Sequence, residues 1–156
     1  MSPNLDKELC SNFPAIMAER RLGAMQTAMC WGFDHDDGWY NILATAMKMI
    51  QSYIDMRKRL GVEVEQVVFE QVKEKFGTLR FYMDGYNDKI SAYESFAEAM
   101  SARTCEDCGS PGKTRYEGWY RTLCDKHAVE QGYEIDLVNL EETDYVPFGA
   151  EDKTGE

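Results

Sequence analysis

At 156 residues the chain suits one domain, or one domain with a small appended module, and is long enough to bury a real core without staples. Its 44% hydrophobic, 29% charged and 12% aromatic residues exclude a disordered or fibrous chain, and no apolar run nears the ~18 residues of a membrane span. The net charge of −11 is uneven: residues 1–128 carry 19 acids and 16 bases and residues 129–156 carry 9 acids and 1 base, so a near-neutral body bears an acidic tail and stays open to partners of either sign.

The opening MSPNLDKELCSNF places acids and polar residues where a signal peptide needs a basic stretch followed by an apolar one, so the expected compartment is the cytoplasm. Reduced thiols follow from that, and five cysteines do not pair evenly, so metal chemistry is favoured over a disulfide framework. The first dozen residues show no decisive pattern. Pro14 stands at a favourable first helical position and predicts a short helix over 14–22.

Residues 34–39, DHDDGW, pack three aspartates around His35. Such a cluster suits a divalent metal or acid-base chemistry, but aspartates also cap helices, and a histidine between acids on a loop is ordinarily solvated. The capping reading predicts a long helix over 38–60. Trp39, Ile42, Leu43, Ala46, Ile50, Tyr53, Ile54 and Leu60 share one face, Asp36 and Asp37 precede it, Arg57, Lys58 and Arg59 close it, and Gly61 follows.

Beyond Gly61 the pattern turns to β-branched and aromatic residues. Leu79, Phe81 and Met83 alternate with Arg80 and Tyr82, and Gly77 marks a turn, which predicts a hairpin pairing 66–73 with 78–83. Lys73, Lys75 and Arg80 lie among its aromatics, but Glu70 and Glu74 beside them make an ordinary solvated face the expectation. A helix over 88–102, with Ile90, Tyr93, Phe96, Ala97 and Met100 on one side, supplies the cover a lone hairpin lacks.

Cys105, Cys108, Cys124 and His127 form a C-x2-C…C-x2-H pattern. Each two-residue gap lets a tight turn aim two ligands at one ion, and two such pairs at this separation predict one structural zinc. Three thiolates and a neutral imidazole around Zn²⁺ leave a local charge of −1 and no open position for water. Gly109 suits the positive φ of a backbone wrapped around the ion. A hairpin between the pairs and a helix begun by CDKHA complete an order that resembles the treble-clef zinc finger. Cys10 and Cys30 have no partner at metal spacing and are expected as small buried hydrophobes. Within the finger, Arg115, Tyr116, Trp119 and Arg121 are the candidate partner-binding residues, although finger aromatics also serve as a miniature core. The tail from 132 on mixes acids with Ile135, Leu137, Val138, Leu140, Tyr145, Val146 and Phe148, which suits either docking a basic partner or packing over the domain, and its last six residues are expected to be disordered.

The expected architecture is therefore α+β: a body over 1–103 of helices on a small antiparallel hairpin or sheet, a treble-clef-like zinc finger over 104–131, and an acidic tail over 132–156. The blocks CWGFDHDDGWYNIL, QVKEKFGTLRFY and MSARTCEDCGSPGKTRYEGWYRTLCDKHA, in that order across residues 30–128, resemble an uncharacterised family of small phage and prophage proteins. The resemblance implies a host-cell cytoplasm and an accessory role, but no activity. The expected function is a non-enzymatic, zinc-stabilised protein that binds a host or phage macromolecule, as an inhibitor of a defence or nucleic-acid-processing complex. The alternative is a finger that binds DNA or RNA directly, including a treble-clef nuclease, for which only His35 remains as catalytic histidine. An assembly component is a third class.

Overall fold

The computed structural model describes residues 1–135; the tail from 136 on, with the expectations attached to it, lies outside the described residues. The fold is α+β. Helix α1 (Pro3–Asn12) opens the chain with Pro3 in its first turn, followed by short 3-10 helices at Ala18–Arg21 and Ala28–Trp31. A two-residue strand β1 (Phe33–Asp34) and a 3-10 turn (Asp37–Trp39) lead into the long helix α2 (Tyr40–Arg59). Strands β2 (Val68–Lys75) and β3 (Thr78–Asp84) form the expected hairpin, and α3 (Asp88–Ser101) covers it. The finger region supplies β4 (Lys113–Tyr116), β5 (Tyr120–Leu123) and α4 (Asp125–Glu130).

Helix α2 buries Leu43, Ala46, Met47, Ile50 and Ile54, one stripe at helical spacing, in the same core as Phe69 and Phe81 of the sheet. Leu60, expected on that stripe, is exposed, and Met47 takes the inward position. Phe69 and Phe81 stack across β2 and β3 with centroids 5.1 Å apart, in the middle of the core. Helix α3 is capped by the Asn87 side chain, which accepts from the Lys89 and Ile90 amides. Only Ile90 and Ala97 of its predicted face are fully buried; Phe96 and Met100 are exposed. At its end the buried Ser101 hydroxyl accepts from Leu79 N–H at 2.8 Å and donates to the Glu98 carbonyl, tying helix to sheet edge.

Three expectations are corrected. The segment from Pro14 is not a helix of nine residues. Its Ile16 carbonyl accepts from Phe69 N–H at 2.9 Å and both Ile16 and Met17 are buried, so sheet and core recruit the chain, and only Ala18–Arg21 coils. The sheet is mixed rather than antiparallel, because β1 pairs parallel with β2 through Phe33 opposite Val72 and Asp34 opposite Lys73. Neither Asp36 nor Asp37 caps α2: Asp36 makes no capping hydrogen bond, and Asp37 accepts from Ser2 N–H at 2.6 Å. Among the described residues no helix is long and apolar enough to cross a membrane.

Candidate metal centre and the seam around it

Residues 104–112 fold back on themselves as a knuckle. Gly109 N–H donates to the Cys105 carbonyl at 2.8 Å, Cys105 N–H donates to the Ser110 carbonyl at 2.7 Å, and Gly109 adopts the expected positive φ of 77°. Hairpin β4–β5 pairs Lys113 with Leu123 through Tyr116 with Tyr120, and delivers Cys124 to the start of α4. One helical turn later His127 returns to the same point. The order is knuckle, hairpin, helix.

The donor atoms of Cys105, Cys108, Cys124 and His127 all lie within 4.8 Å of one another. Cys108 and Cys124 sulfurs are 3.9 Å apart, and His127 Nδ1 lies 3.4 Å from Cys105 Sγ and 3.3 Å from Cys124 Sγ. A tetrahedron with metal–sulfur bonds of about 2.3 Å and metal–nitrogen bonds of about 2.0 Å has edges of roughly 3.8 and 3.5 Å. Three of the donor separations match these edges, and the set as a whole is compatible with one metal ion. Burial pushes the Cys105 thiol up, whereas hydrogen bonding to Ser110 pulls the more exposed Cys108 thiol down to about 6, so this sulfur is the readiest to become a thiolate ligand. On the outer side of the ring, His127 Nε2 faces the Glu130 carboxylate at 3.8 Å, a neighbour one turn along α4.

The knuckle does not stand alone. Gly38 N–H donates to the Glu106 carbonyl at 2.6 Å, and Trp39 Nε1–H donates to the Thr104 carbonyl at 2.7 Å from within the core. A Cβ on Gly38 would sit 2.1 Å from the Cys105 carbonyl oxygen and 2.5 Å from that of Glu106, so only glycine permits this approach. The hairpin is held in the same way. Thr122 Oγ1 donates to the Gly77 carbonyl at 2.6 Å, while a Cβ on Gly77 would lie 2.7 Å from Thr114 Cγ2.

Between these two contacts lies Arg121. Its guanidinium donates to Asp36 at 2.7 Å, Glu106 at 3.1 Å, Asp107 at 3.0 Å and the Gln131 amide oxygen at 3.0 Å. Burial alone lowers the affinity of Arg121 for its proton, but Glu106, Asp36 and Asp107 outweigh it and hold the charge in place. Burial raises the Glu106 carboxyl, and Arg121 opposes that shift. Arg115 is likewise engaged, with Asp125 at the start of α4 and with the Leu123 carbonyl. Of the four residues singled out in the finger, the two arginines are bound internally and the two aromatics, Tyr116 and Trp119, are exposed.

His35 overturns the expectation of a solvated loop histidine. It is 5% exposed, against Phe33 and Trp39, and burial depresses its pKa to about 4. Its Nδ1 lies 2.8 Å from the Asp36 carbonyl, which only accepts, so the proton sits on Nδ1 and Nε2 keeps a bare lone pair with no hydrogen-bond partner. Cys10 and Cys30 are half-buried rather than buried. Cys10 packs partly on the core beside Asp6, and burial pushes its thiol up to about 11.

Pattern reading missed Gly38 and Glu106, took Gly77 for a turn residue without its part in the seam, and missed Phe76, which stands at the hairpin tip with a positive φ of 54°. The signals were faint: a glycine beside an aspartate pair, and an aromatic where a two-residue turn ordinarily takes Asn, Asp or Gly. Comparison with family models, with curated proteins and with solved structures finds no match for this chain.

Proposed function

We propose that the chain is a zinc-stabilised, non-enzymatic binding protein, a phage-type accessory protein that engages a host or phage macromolecule in the host cytoplasm. The observation that carries the reading is the fusion of a four-donor centre to a body hairpin so that aromatic rings face outward. Phe76, Tyr116 and Trp119 are 66%, 62% and 66% exposed, with Tyr120 beside them, and Tyr120 meets Tyr116 and Phe76 at ring separations of 4.7 and 6.3 Å. Exposed aromatics gathered on a rigid frame are the commonest anchors of recognition surfaces.

Three sulfurs and one imidazole at tetrahedral spacing favour zinc and supply a full coordination shell, which suits a structural ion rather than a catalytic one. The knuckle–hairpin–helix order supports a treble-clef description. The three sequence blocks behind the phage resemblance meet at one seam, through Gly38, Gly77 and Arg121, and this supports reading them as one unit.

Direct nucleic-acid binding is the second reading, favoured by Lys73 and Lys75 beside the aromatic rings. The test is native mass spectrometry of the protein from cell lysate with metal retained. One zinc with a bound macromolecule is the expected result; a zinc-loaded protein that carries none and remains monomeric would sink the reading.

A further inference from the structure

Two depressions meet at Trp119 and Glu74. On one side is an apolar groove of about 470 Å³ between the two hairpin tips, walled by Phe76, Tyr116 and Tyr120. On the other is a cleft of about 460 Å³ lined by Asp34, Asp36, Glu74, Glu106 and His35. Four carboxylates face Arg121 and the N-terminal ammonium there, which leaves two negative charges in surplus. Asp36 and Glu106 are already bound to Arg121 and Glu74 accepts from Gly77 N–H, whereas Asp34 is exposed at the rim. His35, lining the same cleft, carries the buried Nε2 lone pair that no N–H or O–H among the described residues reaches.

Resting on the binding-protein reading above, we propose that this double surface docks a basic segment of a protein partner, with an apolar side chain in the aromatic groove and a neighbouring Arg or Lys in the acidic cleft. Trp119 serves both halves: its exposed ring packs on the apolar anchor and offers a face to the cation. Charge complementarity selects this occupant over nucleic acid. The groove's two lysines already sit over rings, Lys73 over Tyr82 and Lys75 over Phe76, and Arg121 of the adjoining cleft is wrapped in carboxylates. A phosphate backbone crossing Trp119 would run into the cleft's surplus of negative charge.

The test uses the zinc-loaded full chain and fluorescence anisotropy at about 0.15 M salt, where exposed charges more than about 8 Å apart are largely screened. The probes are a peptide of about twelve alternating Leu and Arg residues, the same peptide with Ser in place of Leu, and an oligothymidylate of similar length. The Leu/Arg peptide is expected to bind one to one, and the Ser peptide at least tenfold more weakly. Trp119→Ala and Asp34→Arg, both at exposed positions, are each expected to weaken binding at least tenfold. Glu65→Arg, an equal charge change at an exposed site away from the cleft, is expected to leave it unchanged. Equal losses from Asp34→Arg and Glu65→Arg, or indifference to Trp119→Ala, reduce the binding to bulk charge and overturn the proposal. So does preferential binding of oligothymidylate, which leaves the binding-protein reading standing and reassigns its partner class. A chain that carries a macromolecule from cells yet ignores the Leu/Arg peptide overturns the partner chemistry alone, whereas absence of any macromolecule removes the function reading beneath it.

Discussion

Residues 1–103 bury a continuous core that runs from Leu9 through Trp39 and Phe81 to Ala97, whereas the hydrophobic residues buried in 104–135 are only Cys105, Leu123 and Ala128, with Cys124, Tyr133 and Ile135 packed partly against them. Burial of roughly 25 cal/mol per Å² of apolar surface holds the first region together; the second has too little to hide. What it has is a four-donor cluster compatible with a metal ion and a mould, since the knuckle and hairpin rest on Gly38 and Gly77 of the body. A small module attached to a finished domain is thus ordered by one seam and, where the four-donor cluster takes up a metal, by that ion.

The largest way to sharpen this contrast is to remove the ion. Apparent zinc affinities of finger peptides reach roughly 10–16 kcal/mol, comparable to the whole stability of a domain at about 5–15. Chelation, or Cys108→Ser, is expected to abolish one-to-one zinc and to expose residues 104–130 to protease while the helical signal of α2 and α3 survives. Retained metal and protease resistance in the variant would refute the ligand assignment.

Gly38→Ala attacks the seam instead. Its Cβ would press on two knuckle carbonyls at 2.1 and 2.5 Å, and forcing backbone apart at such a contact costs about 3 kcal/mol. Urea unfolding should show that loss, together with faster amide exchange in 104–112. An unchanged midpoint would mean that the finger does not rest on the Asp37–Trp39 turn.

His35 reports on the same boundary through pH. In the unfolded chain it takes up a proton near pH 6.5, but in the folded protein only near 4, so the unfolded state binds more protons between those values. Stability is therefore full above about pH 6.5 and falls as pH drops to 4, by about 3 kcal/mol from this group. His35→Gln should flatten that fall relative to the parent. Identical pH profiles for parent and variant would place the histidine in solvent.

The smallest expected effect is a gain. Phe76 occupies a left-handed position that Asn adopts with less strain, so Phe76→Asn should stabilise the hairpin by about 0.5–1 kcal/mol. Thermal melting checks it. A loss would show that the contact with Tyr120 outweighs the backbone strain.

Much of this architecture was legible because its signals are local. The stripe of α2, the alternation of β3 and the two ligand pairs all repeat within a few residues, and each appears where expected. The seam is different. Asp36 meets Arg121 across 85 residues, and the donor–acceptor pair of Trp39 and Thr104 spans 65. Nothing within a window of ten residues distinguishes an aspartate that caps a helix from one reserved for a distant guanidinium. Strand β1 escaped notice because two residues carry no period, and His35 because its burial comes from Phe33 and Trp39 closing over it, not from its acidic neighbours. Of the sequence blocks, spacing reveals the ligands but not what they lean on.

Among the described residues, every surface the finger rests on belongs to chain synthesised before it: Asp36, Gly38, Trp39 and Gly77 all precede Ser101, where the last body helix ends. Translation proceeds at about 5–20 residues per second and domains form in the order they emerge. The scaffold is thus complete when Cys105 leaves the ribosome, and uptake of a metal by the four-donor cluster would be the closing step of biogenesis. A metal-starved cell would accumulate a folded body with an open finger, a species with its apolar groove half built and its knuckle accessible to proteases.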